Sequence, residues 1–229
     1  MIRAIVTDIE GTTTDIRFVH DVLFPYARTH LPTYLQQHAM TPDIEQVLQL
    51  LRKEVDFADT DLSQLSTVFQ QFIDQDRKSP ALKLLQGMIW REGYQTGQFQ
   101  GHLYSDVMPA LRRWHQQGIN LYLYSSGSVQ AQQLLFGHSI EGDLTPLFSG
   151  YFDTGVGAKQ QVTSYQTIAG QLRLPAEQLL FLSDIEQELE AANQAGWHCL
   201  QLVRGEATPS RHYPWVNTFQ DIDLGEIIT

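Results

Sequence analysis

Three short apolar runs, each delivering a polar side chain at its end, constrain this chain more than any other feature. The first, Ile2-Arg3-Ala4-Ile5-Val6-Thr7-Asp8, is β-favouring and too short for a buried helix, so it reads as a central strand ending near Asp8. Leu121 to Tyr124 leads to Ser125, and Leu179 to Leu182 leads to Ser183 and Asp184. A weaker run, Tyr151-Phe152-Asp153, falls between these two, and His198 to Val203 follows them. Helical patterns separate the runs. Val107, Leu111 and Trp114 share a face before Gly118, and Ser128 caps a pattern holding Val129, Gln132 and Phe136. Lys159 to Leu172 and Glu186 to Ala195 predict two more helices. Strands alternating with helices give an α/β fold, a doubly wound parallel sheet.

Residues 17–101 break that rhythm. They hold no convincing strand, but Ile44, Val47, Leu48, Leu51 and Val55 repeat at helical spacing. So do Leu65, Val68, Phe69, Phe72 and Ile73, and again Leu84, Leu85, Met88 and Ile89. The expectation is an all-helical domain, 17–101, inserted into a Rossmann-like core made of 1–16 and 102–229.

Charge and cysteine content narrow the function classes. Fifteen Lys and Arg stand against 26 Asp and Glu, a net charge of −11 that repels polyphosphate backbones and anionic lipid. Neither nucleic acid nor a membrane is expected as a partner. The single cysteine, Cys199, permits no intrachain disulfide and no multi-thiolate zinc site, and reads as a buried apolar residue. Asp8 and Glu10 interrupt any signal-peptide pattern at the start, and no apolar run nears the ~18 residues of a membrane span. A cytoplasmic location is expected. No long apolar stripe or heptad pattern appears, so the chain is expected to be a monomer.

In an open parallel sheet, ligands bind beyond the carboxyl ends of the strands. Asp8, Ser125, Lys159 and Asp184 all fall on that rim. Asp8 and Glu10 flank one isoleucine before Gly11, whose freedom permits a tight turn that brings both acids over one space. A divalent cation relieves such repulsion, and the chemistry suggested is attack by one carboxylate on phosphorus while the other protonates the leaving oxygen. Ser125 and Ser126, between a strand and a helix, suit phosphate oxygens. Lys159 would neutralise phosphate and shield the nucleophile. Asp184 and Asp8 are a plausible carboxylate pair for Mg²⁺. Glu188 is placed to orient Lys159 or the waters of such an ion. Read blandly, each is a strand-end acid, an N-cap or a surface charge; their order carries the argument.

That order resembles the haloacid dehalogenase-like superfamily of aspartate-nucleophile phosphatases, and the helical insert looks like their cap domain. Within it, Asp8-Ile9-Glu10-Gly11-Thr12-Thr13-Thr14-Asp15-Ile16 and Phe18 to Ala27 are similar to the enolase-phosphatases of methionine salvage, also called acireductone synthases. Tyr124-Ser125-Ser126-Gly127-Ser128, Phe152-Asp153-Thr154 with Gly157 and Lys159, and Phe181-Leu182-Ser183-Asp184 match the same family. The resemblance implies a Mg²⁺-dependent bifunctional enzyme with one ion per subunit. It would enolise 2,3-diketo-5-methylthiopentyl 1-phosphate and then hydrolyse the ester to the acireductone and phosphate. Asp8 would be nucleophile and metal ligand. Glu10 would bind metal, by backbone or carboxylate, and act as acid and base. Ser125, Ser126 and Lys159 would hold phosphate, and Asp184 would complete the metal site. Glu10 is also the hypothesis for the enolisation base.

Three rivals fit less well. A response-regulator receiver lacks the helical insert and orders its acids differently. A haloacid dehalogenase needs neither a leaving-group acid nor a metal. A generic Mg²⁺-dependent sugar-phosphate phosphatase or phosphomutase is opposed only by the Glu10 context and the Thr12 to Ala27 run. His20 near the rim, and Arg91 and Tyr94, are lesser candidates for substrate contact, whereas Phe18, Phe24 and Tyr26 read as packing.

Overall fold

The structure, a computed structural model, describes residues 1–55 and 61–225. Residues 56–60 of the expected insert and 226–229 of the expected core lie outside them. The described chain divides into two compact units, Met1–Ile16 with the chain from Gly101 onward, and Arg17–Gln100. Gly101 joins the first unit because its N–H donates to the His138 carbonyl at 2.8 Å and its carbonyl accepts from Ile140 at 2.9 Å.

The first unit is built on a parallel sheet of β1 (Ala4–Thr7), β2 (Asn120–Tyr124), β3 (Gly150–Phe152), β4 (Leu179–Ser183), β5 (His198–Leu202) and β6 (Trp215–Val216). Its order is β3-β2-β1-β4-β5-β6. Strand β1 is central, with Ala4 to Thr7 in register against Asn120 to Leu123 on one side and Leu179 to Leu182 on the other. An apolar run without alternation is what a strand covered on both faces requires. Strand β6 was not foreseen: two residues with a half-exposed Trp215 leave no run to read.

The second unit is helical. After a wide π-type turn, Phe18–Leu23, come α1 (Phe24–His38), α2 (Pro42–Glu54), α3 (Leu62–Asp74) and α4 (Pro80–Gln95). Thr41, Asp61 and Ser79 cap the last three by accepting N–H bonds from Ile44, Ser63 and Leu82. Helix α1 packs on α3 and α4, and α2 on α4. Leu31, Leu35, Val47, Leu51, Phe69 and Leu85 are fully buried among them. Phe18 and Leu23 are buried as packing residues, and the Trp90 indole N–H donates to the Leu23 carbonyl at 2.8 Å.

The remaining helices, α5 (Val107–Gln116), α6 (Val129–Gly137), α7 (Val162–Leu172) and α8 (Glu186–Gln194), flank the sheet. Ala4, Val6, Tyr124, Leu179 and Phe181 share one core with Tyr165 and Ile168 of α7 and Leu189 and Ala192 of α8. Side chains alternate along a strand, so the equally buried Ile5, Leu121, Leu123 and Leu180 face the opposite layer, where α5 packs on β2. Helix α7 starts at Val162, and Lys159 sits in the preceding turn instead of opening the helix as the sequence suggested. Side chains from the first turn of α7 hold that turn open. Ser164 Oγ donates to the Ala158 carbonyl and the Tyr165 hydroxyl to the Lys159 carbonyl, both at 2.7 Å. Among the described residues no helix is long and apolar enough to cross a membrane.

Phe181 is fully buried, with ring centroids 5.1 Å from Tyr165 and 6.5 Å from Tyr124. Phe181→Ala is expected to cost ~3–5 kcal/mol, read as a lowered urea midpoint. An unchanged midpoint would remove this aromatic group from the core's stability.

Candidate active site

Asp8 follows β1 directly and is 2% exposed. Its N–H extends the sheet by donating to the Leu182 carbonyl at 2.8 Å, which brings it beside the end of β4. The chain then coils tightly. The N–H groups of Thr12, Thr13 and Thr14 all approach the Ile9 carbonyl, at 3.2, 2.9 and 3.0 Å, and Gly11 donates to Thr14. Gly11 has φ +80°, and a Cβ there would collide with Asp184 Oδ2, so the missing side chain is the space the Asp184 carboxylate occupies. The buried Thr12 hydroxyl links the two acids. It accepts from the Asp184 N–H at 3.0 Å and lies 3.2 Å from Asp8 Oδ2 and 3.4 Å from Asp184 Oδ1.

Lys159, 8% exposed, reaches the same space from the turn before α7. Its Nζ pairs with Asp8 Oδ1 and, at 2.6 Å, with Glu188 Oε2. Glu188 Oε2 also accepts from Ser183 Oγ at 2.8 Å. Burial opposes the lysine charge, but Asp8 and Glu188 outweigh it and hold Lys159 above its ordinary pKa. Burial pushes Glu188 upward, against the pull of Lys159. Burial and the Asp8 charge raise Asp184 to about 7. Asp8, Lys159, Asp184 and Glu188 therefore converge.

Glu10 and Ser125 form a neighbouring pair. The Ser125 hydroxyl lies 3.1 and 3.3 Å from the Glu10 carboxylate oxygens and accepts from the Gly127 N–H at 2.9 Å. Burial, and then Asp8, raise the Glu10 pKa. Ser126 is exposed in the loop between β2 and α6. Among the described residues no three His, Cys, Asp or Glu side chains are grouped to hold a metal, so the Glu10 carboxylate does not join Asp8 and Asp184 in a three-acid cage. What remains is a hard donor set of two carboxylates linked by one hydroxyl, with the Asp184 carboxylate admitted by the missing side chain of Gly11. Mg²⁺ takes one or two carboxylates and completes its shell with other oxygens, so this set fits it.

A buried carboxylate beside a fixed cation, with a second acid poised to carry a proton, is equipped for phosphoryl transfer or ester hydrolysis. The haloacid dehalogenase-like hydrolase family model matches residues 2–196. Enolase-phosphatase E1 of Serratia proteamaculans is 60% identical over 226 residues, 99% of each chain. That of Pectobacterium carotovorum is 61% identical over the same length and coverage. The chain belongs to the enolase-phosphatase E1 family of haloacid dehalogenase-like hydrolases. Among solved structures, the Unknown transcript 4 protein of Saccharomyces cerevisiae superposes with a TM-score of 0.82 at 31% identity, covering 97% of this chain and 100% of that one.

In this enolase-phosphatase E1 family member, several residues named in the sequence support the site in roles that the sequence reading did not give them. Asp153 accepts from Gly155 at 2.8 Å and from Val129 at 3.4 Å, tying the lysine turn to the start of α6. Gln132 donates to the Gly127 and Phe152 carbonyls at 3.0 and 2.8 Å. Tyr124 donates to the Gly157 carbonyl at 2.8 Å. Their signal, a polar atom on an otherwise apolar strand or helix face, is visible in the sequence but does not identify a partner. Of the lesser candidates, His20 is exposed with its ring edge-on to Phe24 and Tyr94 is buried; Cys199, read as an apolar residue, is buried with its thiol pushed up to about 12.

The raised acids carry a sign. Asp184 keeps its proton in the fold to about pH 7 but would release it near 3.8 when unfolded. The metal-free protein therefore loses stability as pH rises through that window. Glu10 and Glu188 act in the same direction. In chelator, the parent's thermal midpoint is expected to fall between about pH 4 and 7, with a shallower fall in Asp184→Asn. Parallel profiles would show that Asp184 is not a source.

Proposed function

We propose that the chain is a bifunctional enolase-phosphatase of methionine salvage. It converts 2,3-diketo-5-methylthiopentyl 1-phosphate to 1,2-dihydroxy-3-keto-5-methylthiopentene and phosphate. The observation that carries this reading is the 60–61% identity, over 99% of each chain, to two proteins named enolase-phosphatase E1. The convergence of Asp8, Lys159 and Glu188 supports the phosphatase half. No comparable observation favours the generic sugar-phosphate phosphatase.

Asp8 is the nucleophile. One of its oxygens attacks phosphorus, the bond from phosphorus to the C1 oxygen breaks, and Glu10 protonates that leaving oxygen. Water then attacks the aspartyl-phosphate, giving its proton to Glu10 and releasing phosphate. The raised pKa of Glu10 supports this exchange, because burial and the Asp8 charge make its carboxylate a readier proton acceptor than an exposed one. In the enolisation, Glu10 takes the proton from C1 and returns it to the C2 oxygen, giving the enol with no net change in its own protonation. Lys159 keeps Asp8 oriented and shields its charge, and Glu188 orients Lys159. Ser125 and Ser126 meet the phosphate oxygens, Ser125 exchanging its Glu10 bond for one to phosphate. Asp8, Asp184 and the Glu10 main-chain carbonyl would hold one Mg²⁺. When bound, the ion supplies positive charge to the phosphate and to the developing enolate. The protein is proposed to work in the cytoplasm as a monomer.

The test supplies the diketo phosphate and follows inorganic phosphate and the enediol separately, with Mg²⁺ and with chelator. Both products are expected, and both should vanish in chelator. Phosphate without the enediol would leave only a phosphatase. Asp8→Asn is expected to lower phosphate release by about 10⁴-fold or more, and activity near the parent's would exclude the aspartyl-phosphate. Glu10→Asp, which withdraws the carboxylate by one methylene, is expected to slow enolisation by about 10²-fold. Enolisation and phosphate release at parental rates in that variant would assign the base elsewhere.

A further inference from the structure

Arg204 lies two residues beyond β5, and none of the chemistry above uses it. Its guanidinium has five N–H donors, and the structure assigns a partner to each. Nε and Nη2 donate to the Thr12 carbonyl at 3.1 and 2.9 Å. Nη1 and Nη2 donate to the two oxygens of Asp106 at 3.0 and 2.9 Å, and Nη1 reaches the Asn217 carbonyl at 3.0 Å. The Tyr104 ring lies against the guanidinium at 4.3 Å. Both charged side chains are nearly buried, at 10% and 11% exposure. Asp106 is itself fixed, because its Oδ2 also accepts from the Phe219 N–H at 2.7 Å.

We propose that Arg204, oriented by Asp106, is a positioning residue for the reaction: it fixes the Thr12 carbonyl and so sets the spacing of Asp8 and Asp184. The same residue whose carbonyl takes two Arg204 donors places its hydroxyl between Asp8 and Asp184. Thr12 sits in a coil only a few residues long, so moving its carbonyl turns its side chain. Within the coil, main-chain bonds converge on Ile9 and Thr14, while the Tyr104 N–H and the His102 carbonyl hold Thr13 and Thr14 from outside and leave the Thr12 carbonyl to Arg204. Arg204 anchors it from outside, to the start of α5 through Asp106 and to the chain at Asn217. A fixed fork is needed for this. A lysine could keep the charge opposite Asp106 but could not bond two partners with paired, coplanar donors. A pure staple between Asp106 and Asn217 would leave the Thr12 carbonyl out. Two of the five donors go there instead.

The proposal rests on the reading that Asp8 is the reacting carboxylate, and the variants separate the two. Phosphate release, with kcat and KM resolved, and the thermal midpoint are measured on the Mg²⁺-loaded enzyme. The proteins are the parent, Arg204→Lys, Arg204→Ala with and without methylguanidine, and Asp8→Asn. A displacement of about 1 Å at the reacting group costs on the order of 10²-fold. Arg204→Ala is therefore expected to lose about 10²-fold in kcat with KM changed less than about threefold. Methylguanidine should restore part of that kcat and leave the parent unaffected. Arg204→Lys is expected to keep a thermal midpoint near the parent's while kcat still falls about tenfold, which keeps the test decisive if the alanine variant does not fold. Parental kcat in a folded Arg204→Lys or Arg204→Ala would overturn the proposal. So would methylguanidine that restores the midpoint but not kcat. Activity retained by Asp8→Asn would instead overturn the reading beneath it.

Discussion

A lysine buried between two carboxylates is the interaction on which this site depends. Removing a cation from water is costly, and Lys159 is stable inside the core only because Asp8 and Glu188 both contact it. Those partners lie on different parts of the chain. Asp8 comes directly after the central strand, Glu188 from the first turn of α8 and Lys159 from the turn before α7. The ion network is therefore possible only once the β1–β4 register and both helix starts are in place. Tyr165 and Tyr124, holding the Lys159 and Gly157 carbonyls, tie that turn to the same core. Stability and placement of the reacting groups are one problem here.

The network is not neutral. One cation faces Asp8 and Glu188, with Asp184 close enough for the Asp8 charge to raise its pKa. A fold selected for stability alone would avoid this surplus of acid, and burial makes the conflict worse. The chain accepts it at the carboxyl edge of the sheet, where a ligand can resolve it. This sharpens what net charge means for the molecule. A total of −11 argues against polyanionic partners, yet even the buried lysine at the site is already engaged by acids. In the proposed reaction, affinity for a phosphate would draw on a bound cation, on Lys159 and on polar groups of the β2–α6 loop, with no basic surface needed.

Most of the parallel sheet and the position of the rim were legible because β1, β2 and β4 are short apolar runs that stop at Asp8, Ser125 and Asp184. Burial on both faces leaves that mark in any sequence. The helical insert was legible from its periodicity alone. Other features depend on partners far along the chain. Arg204 meets Thr12 across 192 positions, and the Asp184 N–H meets the Thr12 hydroxyl across 172. Nothing in Gly-Thr-Thr-Thr says which threonine faces inward, since all three are buried. The start of α7 was misplaced for a similar reason. Propensity allowed a helix from Lys159, but bonds from Ser164 and Tyr165 back to the preceding turn hold that segment out of it.

Glu10 shows how one methylene can divide an acid cluster. Its backbone is fixed in the coil by a bridge to Thr14, close to Asp8 in sequence and space. An aspartate there would keep its carboxylate nearer that backbone and nearer the charge of Asp8. The longer side chain carries the carboxylate across to Ser125 at the end of β2, where the hydroxyl approaches both its oxygens. Two acids two residues apart thus acquire different environments, one paired with a lysine and the other with a neutral hydroxyl. Separate environments are what let neighbouring carboxyl groups hold different protonation states. The proposed division of labour between a nucleophile and a proton carrier would then follow from side-chain reach on a rigid coil.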